Sequence, residues 1–174
     1  MQLTPVMEKF IVHWGEMGTR WGVNRTVAQI HALLYLSPKP LNAEEISETL
    51  GAARSNVSTS LKELMSWGLV KVSHVLGDRR DHFESMKDLW DIFNCVVAER
   101  KKREIDPTLT LLRQCELEAA DDTETSEEVK QRIRSMTEFL ETLTTWYDQM
   151  SGIPKTTLVK LMKLGSRITK FLGK

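Results

Sequence analysis

A mainly α-helical chain, with one short β-hairpin set between helical stretches, is the fold class the sequence predicts. Three observations carry it. Apolar residues recur at three- and four-residue spacing over most of the 174 residues. Period two replaces that spacing once, between residues 70 and 84. Residues suited to helix caps stand where the helical stretches start and stop.

Thr4 and Pro5 supply an N-cap and an N1 proline. Val6, Phe10, Val12 or His13, and Met17 follow at helical spacing, which predicts a helix to about Arg20. Gly22 and Asn24 punctuate, and Val27, Ile30, Leu33, Leu34 and Leu36 form the apolar set of a second helix that ends before Pro38 and Pro40. Asn42-Ala43-Glu44-Glu45 has the form of a capping box, and the short third helix it opens carries Ile46 and Leu50 before Gly51 stops it. The chain then restarts within a few residues. Val57, Leu61, Leu64 and Met65 mark a fourth helix, with Gly68 just past its end.

Val70, Val72 and Val75 alternate with polar partners, Leu76 through Asp81 read as a loop, and His82-Phe83-Glu84 return as a second strand. The loop carries Arg79 and Arg80. From Lys87 the period is helical again, with Leu89 or Trp90, Phe93, and Val96 or Val97, and the run Arg100 to Arg103 complements the dipole at this helix's end. Asp106-Pro107 predicts a break or restart before Leu109, Leu112 and Cys115. The polar loop from Asp121 to Ser126 can cap a long amphipathic helix with Val129, Ile133, Met136, Leu140 and Leu143. Pro154 opens a last helix with Leu158, Leu161, Met162, Ile168, Phe171 and Leu172.

Two helices around a tight glycine turn, a basic-tipped hairpin and then long helices make the order of a winged helix-turn-helix joined to a helical dimerisation region. The predicted division is 1–86 for the winged helix, whose first helix also contributes to a dimer interface, and 87–174 for a dimerisation and effector region. In such a layout the start of the fourth helix meets the major groove of DNA. Arg54, Ser55, Asn56, Ser58 and Thr59 are then on or near the reading face, with Val57, Leu61 and Leu64 turned inward. Arg54 can fork to guanine and Asn56 to adenine, whereas Ser55, Ser58 and Lys62 suit phosphate. Arg79 and Arg80 suit a narrow minor groove. Asp78 and Asp81 form weak surface pairs with them, or Asp78 orients an arginine for the groove. Ala52 stands where Ser or Thr would cap the reading helix, so the cap shifts to Ser55 or is lost.

The same residues resemble a known family. Trp14-Gly15 through Trp21-Gly22-Val23-Asn24-Arg25, then Leu33 to Ser37, Arg54 to Ser58, Leu61 to Leu64, Trp67 to Val70, Gly77 to Asp81 and Lys87 to Trp90 look like the GbsR branch of the MarR regulators. The resemblance covers roughly residues 8 to 107. It implies a cytoplasmic, DNA-binding homodimer acting as a repressor on an inverted-repeat operator, controlling genes for uptake or synthesis of a choline- or betaine-type osmolyte. Trp14, Trp21, Trp90 and Trp146 are then candidates for holding a quaternary ammonium effector by cation–π attraction, set against the commoner role of such aromatics as core.

Charge neither helps nor forbids this. Lys plus Arg and Asp plus Glu are 24 each, so the net formal charge is zero and any attraction to nucleic acid must be local. Between Arg54 and Arg80 five cationic side chains face only Glu63 and Asp78. Neutrality also suits a winged helix that binds protein instead of DNA, which is the competing expectation. No basic leader followed by an apolar run and no bilayer-length apolar stretch is present, giving the expectation of a soluble cytoplasmic protein. Cys95 and Cys115 stand apart from any CxxC or histidine at ligand spacing, so reduced thiols, no metal and no cofactor are expected. His13, His31, His74 and His82 form no catalytic pattern and are expected to be hydrogen-bonded structural residues. No nucleophile elbow or phosphate-cradling glycine loop suggests an enzyme.

Overall fold

A computed structural model describes the backbone of residues 1–172 and the side chains of 1–162 and 164. It divides into two compact units, Met1–Val96 and the residues from Val97 onward. Of the last helix's apolar set, the side chains of Ile168, Phe171 and Leu172 lie outside the described residues.

In the first unit α1 runs Pro5–Arg20, and Thr4 caps it by accepting the N–H of Met7. Helix α2, Arg25–Leu36, is capped by Asn24, which accepts the N–H of Thr26 at 2.8 Å. The two helices pack closely because Gly15 and Gly18 face α2. A Cβ on Gly18 would stand 2.5 Å from the Cβ of Ala28. The C-terminus of α2, whose last carbonyls have no partner within the helix, is closed from far along the chain. Lys87 donates to the carbonyls of Leu34 (2.7 Å), Tyr35 (2.7 Å) and Ser37 (2.9 Å) and lies over the Tyr35 ring.

Helix α3, Ala43–Leu50, opens with the full capping box: Asn42 Oδ1 accepts the N–H of Glu45, and Glu45 accepts the N–H of Asn42. Gly51 ends it at φ +61°, a left-handed conformation that favours glycine. Helix α4, Arg54–Ser66, follows after two residues. The core of this unit gathers Ile11, Ile30, Leu33, Leu34, Ile46, Val57, Leu61 and Leu64 from all four helices, joined by Leu41, Leu69, Val70 and Phe83 from the sheet and its approach.

The sheet has three strands where the sequence suggested two. Strand β2, Val70–Ser73, pairs antiparallel with β3, His82–Ser85, and β3 pairs on its other edge with β1, Leu41–Asn42. Val75 lies beyond the end of β2. Asn42 thus serves both as the last residue of a strand and as the cap of α3.

Helix α5, Leu89–Arg100, contributes Ile92, Cys95 and Val96 to the first unit's core. It does not end at its basic run. A π-helical turn, Lys101–Ile105, carries the chain directly into α6, Asp106–Asp121, so Pro107 sits in a first turn without a break in helical structure. The cations of that run therefore offset no helix end; Lys101 instead pairs with Asp106 at 3.0 Å. Ser126 caps α7, Glu127–Ser151, which packs along α6 with Arg113 bound to Glu141 at 2.8 Å. Helix α8 is Lys155–Leu172. Among the described residues no helix is long and apolar enough to cross a membrane.

Candidate nucleic-acid interface

Helix α4 owes its orientation to four inward positions. Val57, Ser60, Leu61 and Leu64 recur at three- and four-residue spacing and are buried, which leaves Arg54, Ser55, Asn56, Ser58, Thr59 and Lys62 exposed on the opposite side. The N-cap position belongs to Ala53, and no side chain caps the helix. Of the two outcomes open for the missing cap, it is lost. The cost of about 1 kcal/mol is absorbed by the buried face, and the first N–H groups of α4 remain open to an external acceptor.

The wing is β2, β3 and the loop between them. Cross-strand pairing of Lys71 with Glu84, 3.1 Å, occupies one of the cations expected to favour nucleic acid. At the loop, Asp78 folds onto Arg80: Oδ1 accepts the backbone N–H and Nε–H of Arg80 at 3.0 Å each, and Oδ2 accepts from Nη2 at 2.6 Å. The Asp78 carboxyl is held well below the usual carboxylate range, first by the hydrogen bonds from the Arg80 side chain and then by the one from its backbone. The Arg80 guanidinium is shifted further up by the same partner. His82, buried at the loop's base, donates Nδ1–H to the Arg80 carbonyl at 2.9 Å and has Nε2 3.5 Å from Asp78. Arg79 is exposed and, among the described residues, makes no ion pair.

One residue at this site went unnoticed in the sequence. Glu44, at the start of α3, binds both Arg54, the first residue of α4, and Arg80, the latter at 3.3 Å. These three side chains line one groove of about 400 Å³ with Asn42, Ala43, Asp81 and Phe83. The groove therefore brings together the first reading-helix arginine and one wing arginine, with an anion between them. The signal available in the sequence was the acidic pair inside the capping box, of which only Glu45 makes the cap.

The candidate tryptophans fall into separate settings. Trp14 stacks on Phe10 at 5.5 Å and meets the buried His31 at 6.4 Å, and Trp90 meets Phe93 edge-on at 6.1 Å. Trp21 is exposed just beyond α1, and Trp146 is exposed on α7 in the second unit. The buried Nε2 of His31 has no hydrogen-bond partner among the described residues. Burial first, and the Lys87 charge second, push its pKa down from 6.5 to about 4. No group of three or more metal-ligating side chains occurs among the described residues.

Comparison with known proteins agrees with this geometry. A family model described as MarR family matches residues 21–81, from just before α2 through the wing loop. Among curated proteins the chain is similar to the HTH-type transcriptional repressor OpcR of Bacillus subtilis, 22% identical over 140 residues that cover 76% of this chain and 74% of that one. It is also similar to the putative HTH-type transcriptional regulator YvaV of the same organism, 22% identical over 150 residues, 85% of this chain and 83% of that one. A crystal structure of a transcriptional regulator has the same fold, with a TM-score of 0.66 and 20% identity over 83% of this chain and 95% of that one. Residues 21–81, which match the MarR family model, thus form a winged helix-turn-helix, the fold shared with that regulator structure.

Proposed function

We propose that the chain is a transcriptional regulator that binds double-stranded DNA in a sequence-specific manner and represses its target genes. The observation that carries this reading is the outward surface of α4, where Arg54, Ser55, Asn56, Ser58, Thr59 and Lys62 are all exposed next to a wing bearing Arg79 and Arg80. Arg54 and Asn56 read bases, Ser55, Ser58, Thr59 and Lys62 hold the backbone, and the wing arginines enter the minor groove. Similarity to relatives named as a transcriptional repressor and a putative regulator supports the assignment and its direction.

The division of labour is 1–86 for DNA and 87–174 for dimerisation and effector response, with α1 adding to the dimer. Helix α7 favours a second copy as partner: Met136, Phe139, Leu143 and Trp146 lie on one stripe at helical spacing and are exposed. A symmetric dimer reads an inverted repeat with half-sites about 34–36 Å apart, and the protein works in the cytoplasm. Membership in the GbsR branch, with control of choline- or betaine-type osmolyte genes, rests on the residues from Trp14 to Trp90. A quaternary ammonium effector would be held by Trp14, Trp21, Trp90 or Trp146, and calorimetry with choline and glycine betaine at millimolar concentration decides it by heat and by a change in DNA affinity.

Titration of the full chain against random duplex at rising salt tests the DNA reading. Contacts to phosphate give a linear fall of log affinity with log salt at a slope of about −0.9 per phosphate neutralised. A flat response would instead favour a winged helix that binds protein.

A further inference from the structure

Glu44 occupies an unfavourable place for an anion on a DNA-binding surface. It sits between the first arginine of the reading helix and the wing arginine, in the groove they share. Its role is not to build α3, because the reciprocal cap bond comes from Glu45. Nor is it to lock the fold, since all three side chains are substantially exposed: 43% for Glu44, 76% for Arg54 and 56% for Arg80. Exposed pairs of this kind are worth little and exchange readily. What remains is competition. An approaching phosphate must displace the carboxylate from a guanidinium and then lie near the displaced anion.

We propose that Glu44 is a specificity-determining residue whose carboxylate withholds Arg54 and Arg80 from arbitrary phosphate and releases them where base edges replace its hydrogen bonds. At a matched site Arg54 gains a two-bonded guanine contact and Arg80 a groove contact, which offset the broken pairs. At a random site the pairs are given up for phosphate contacts that Glu44 itself opposes. Discrimination rises because the wrong partner is penalised more than the right one. The inference rests on the DNA-binding reading above.

The test compares the wild-type chain, Glu44→Gln and Glu48→Gln in anisotropy titrations. The probes are a random duplex and a duplex that the wild type selects from genomic fragments. Glu48 is an exposed carboxylate on the same helix and pairs with neither arginine, so its variant makes the same change in net charge. Glu44→Gln is expected to bind random duplex about two- to fivefold tighter, to gain less on the selected duplex, and so to lose specificity ratio, while Glu48→Gln leaves both unchanged. Equal gains in the two variants would reduce the effect to net charge and overturn the proposal. Weaker binding of both duplexes by Glu44→Gln would make Glu44 a brace and overturn it as well. A wild type that binds neither duplex removes the DNA reading itself, a result distinct from either of these.

Discussion

Nη1 of Arg80 lies 3.3 Å from Oε2 of Glu44, although 36 positions separate them in the chain. The pairing sets the wing tip beside the start of α3, and Arg54 reaches the same carboxylate from α4. The two arginines are therefore presented together. Replacing them should nevertheless give different outcomes, because the proposed function assigns Arg54 to bases and Arg80 to the minor groove.

Arg80→Ala is expected to weaken binding across many duplex sequences and to reduce the salt slope by about 1. Arg54→Ala and Asn56→Ala are expected to relax preference at particular base pairs, each by about 1–3 kcal/mol where the side chain makes a two-bonded base interaction. Anisotropy with duplexes altered one base pair at a time measures both effects. Equal weakening on matched and random duplexes for all three variants would remove the base-reading assignment.

Helix packing in the first unit depends on Gly18. In Gly18→Ala the new Cβ meets the Ala28 Cβ, which is fixed to its own backbone, so α1 and α2 must separate. A destabilisation of about 1–3 kcal/mol is expected, despite a gain in helix propensity of up to about 1 kcal/mol. Gly15→Ala should cost less, since its new methyl would meet the movable side chains of Gln29 and Arg25. Urea denaturation of both variants gives the comparison, and equal midpoints would refute the difference.

Lys87 carries three hydrogen bonds at the end of α2. Its pKa is lowered, chiefly by burial, but the side chain keeps enough solvent to moderate the effect of removing it. Lys87→Met should destabilise by about 1–2 kcal/mol, read as a shift in thermal midpoint with little change in the far-ultraviolet helix signal.

Acid should destabilise the first unit through His31. Its folded pKa of about 4 lies below the unfolded 6.5, so between those values the unfolded chain binds a proton that the folded chain refuses. Stability is full above pH 6.5 and falls as the pH drops toward 4, by about 3 kcal/mol over the window. His31→Leu should flatten that part of the profile. A variant with the wild-type pH dependence would place the acid sensitivity elsewhere.

Helix limits were readable because caps are local: Thr4, Asn24, Asn42 and Ser126 each bind an N–H within three residues. The outward set on α4 was readable for a similar reason, since Val57, Leu61 and Leu64 fix which side faces the core. Strand β1 was not, because two residues carry no period and its partner Phe83 is far along the chain. The π turn was hidden behind Asp106-Pro107, a pair that ordinarily signals a break but is accommodated when the preceding turn widens. Glu44 escaped notice because its partners are 10 and 36 positions away, and charge counted along a segment misses an anion brought in from outside it.

Strand β3 is held on both edges. Phe83 pairs with Leu41 on one side and Val72 on the other, and His82 lies between Asn42 and Ser73. The base of the wing is therefore clamped by strand pairing that does not depend on residues 74–81. A tip of another length or charge, grafted between Ser73 and His82, should leave the scaffold intact and, under the proposed function, retune which minor grooves are accepted. Divergence in target choice can proceed there without renegotiating the fold.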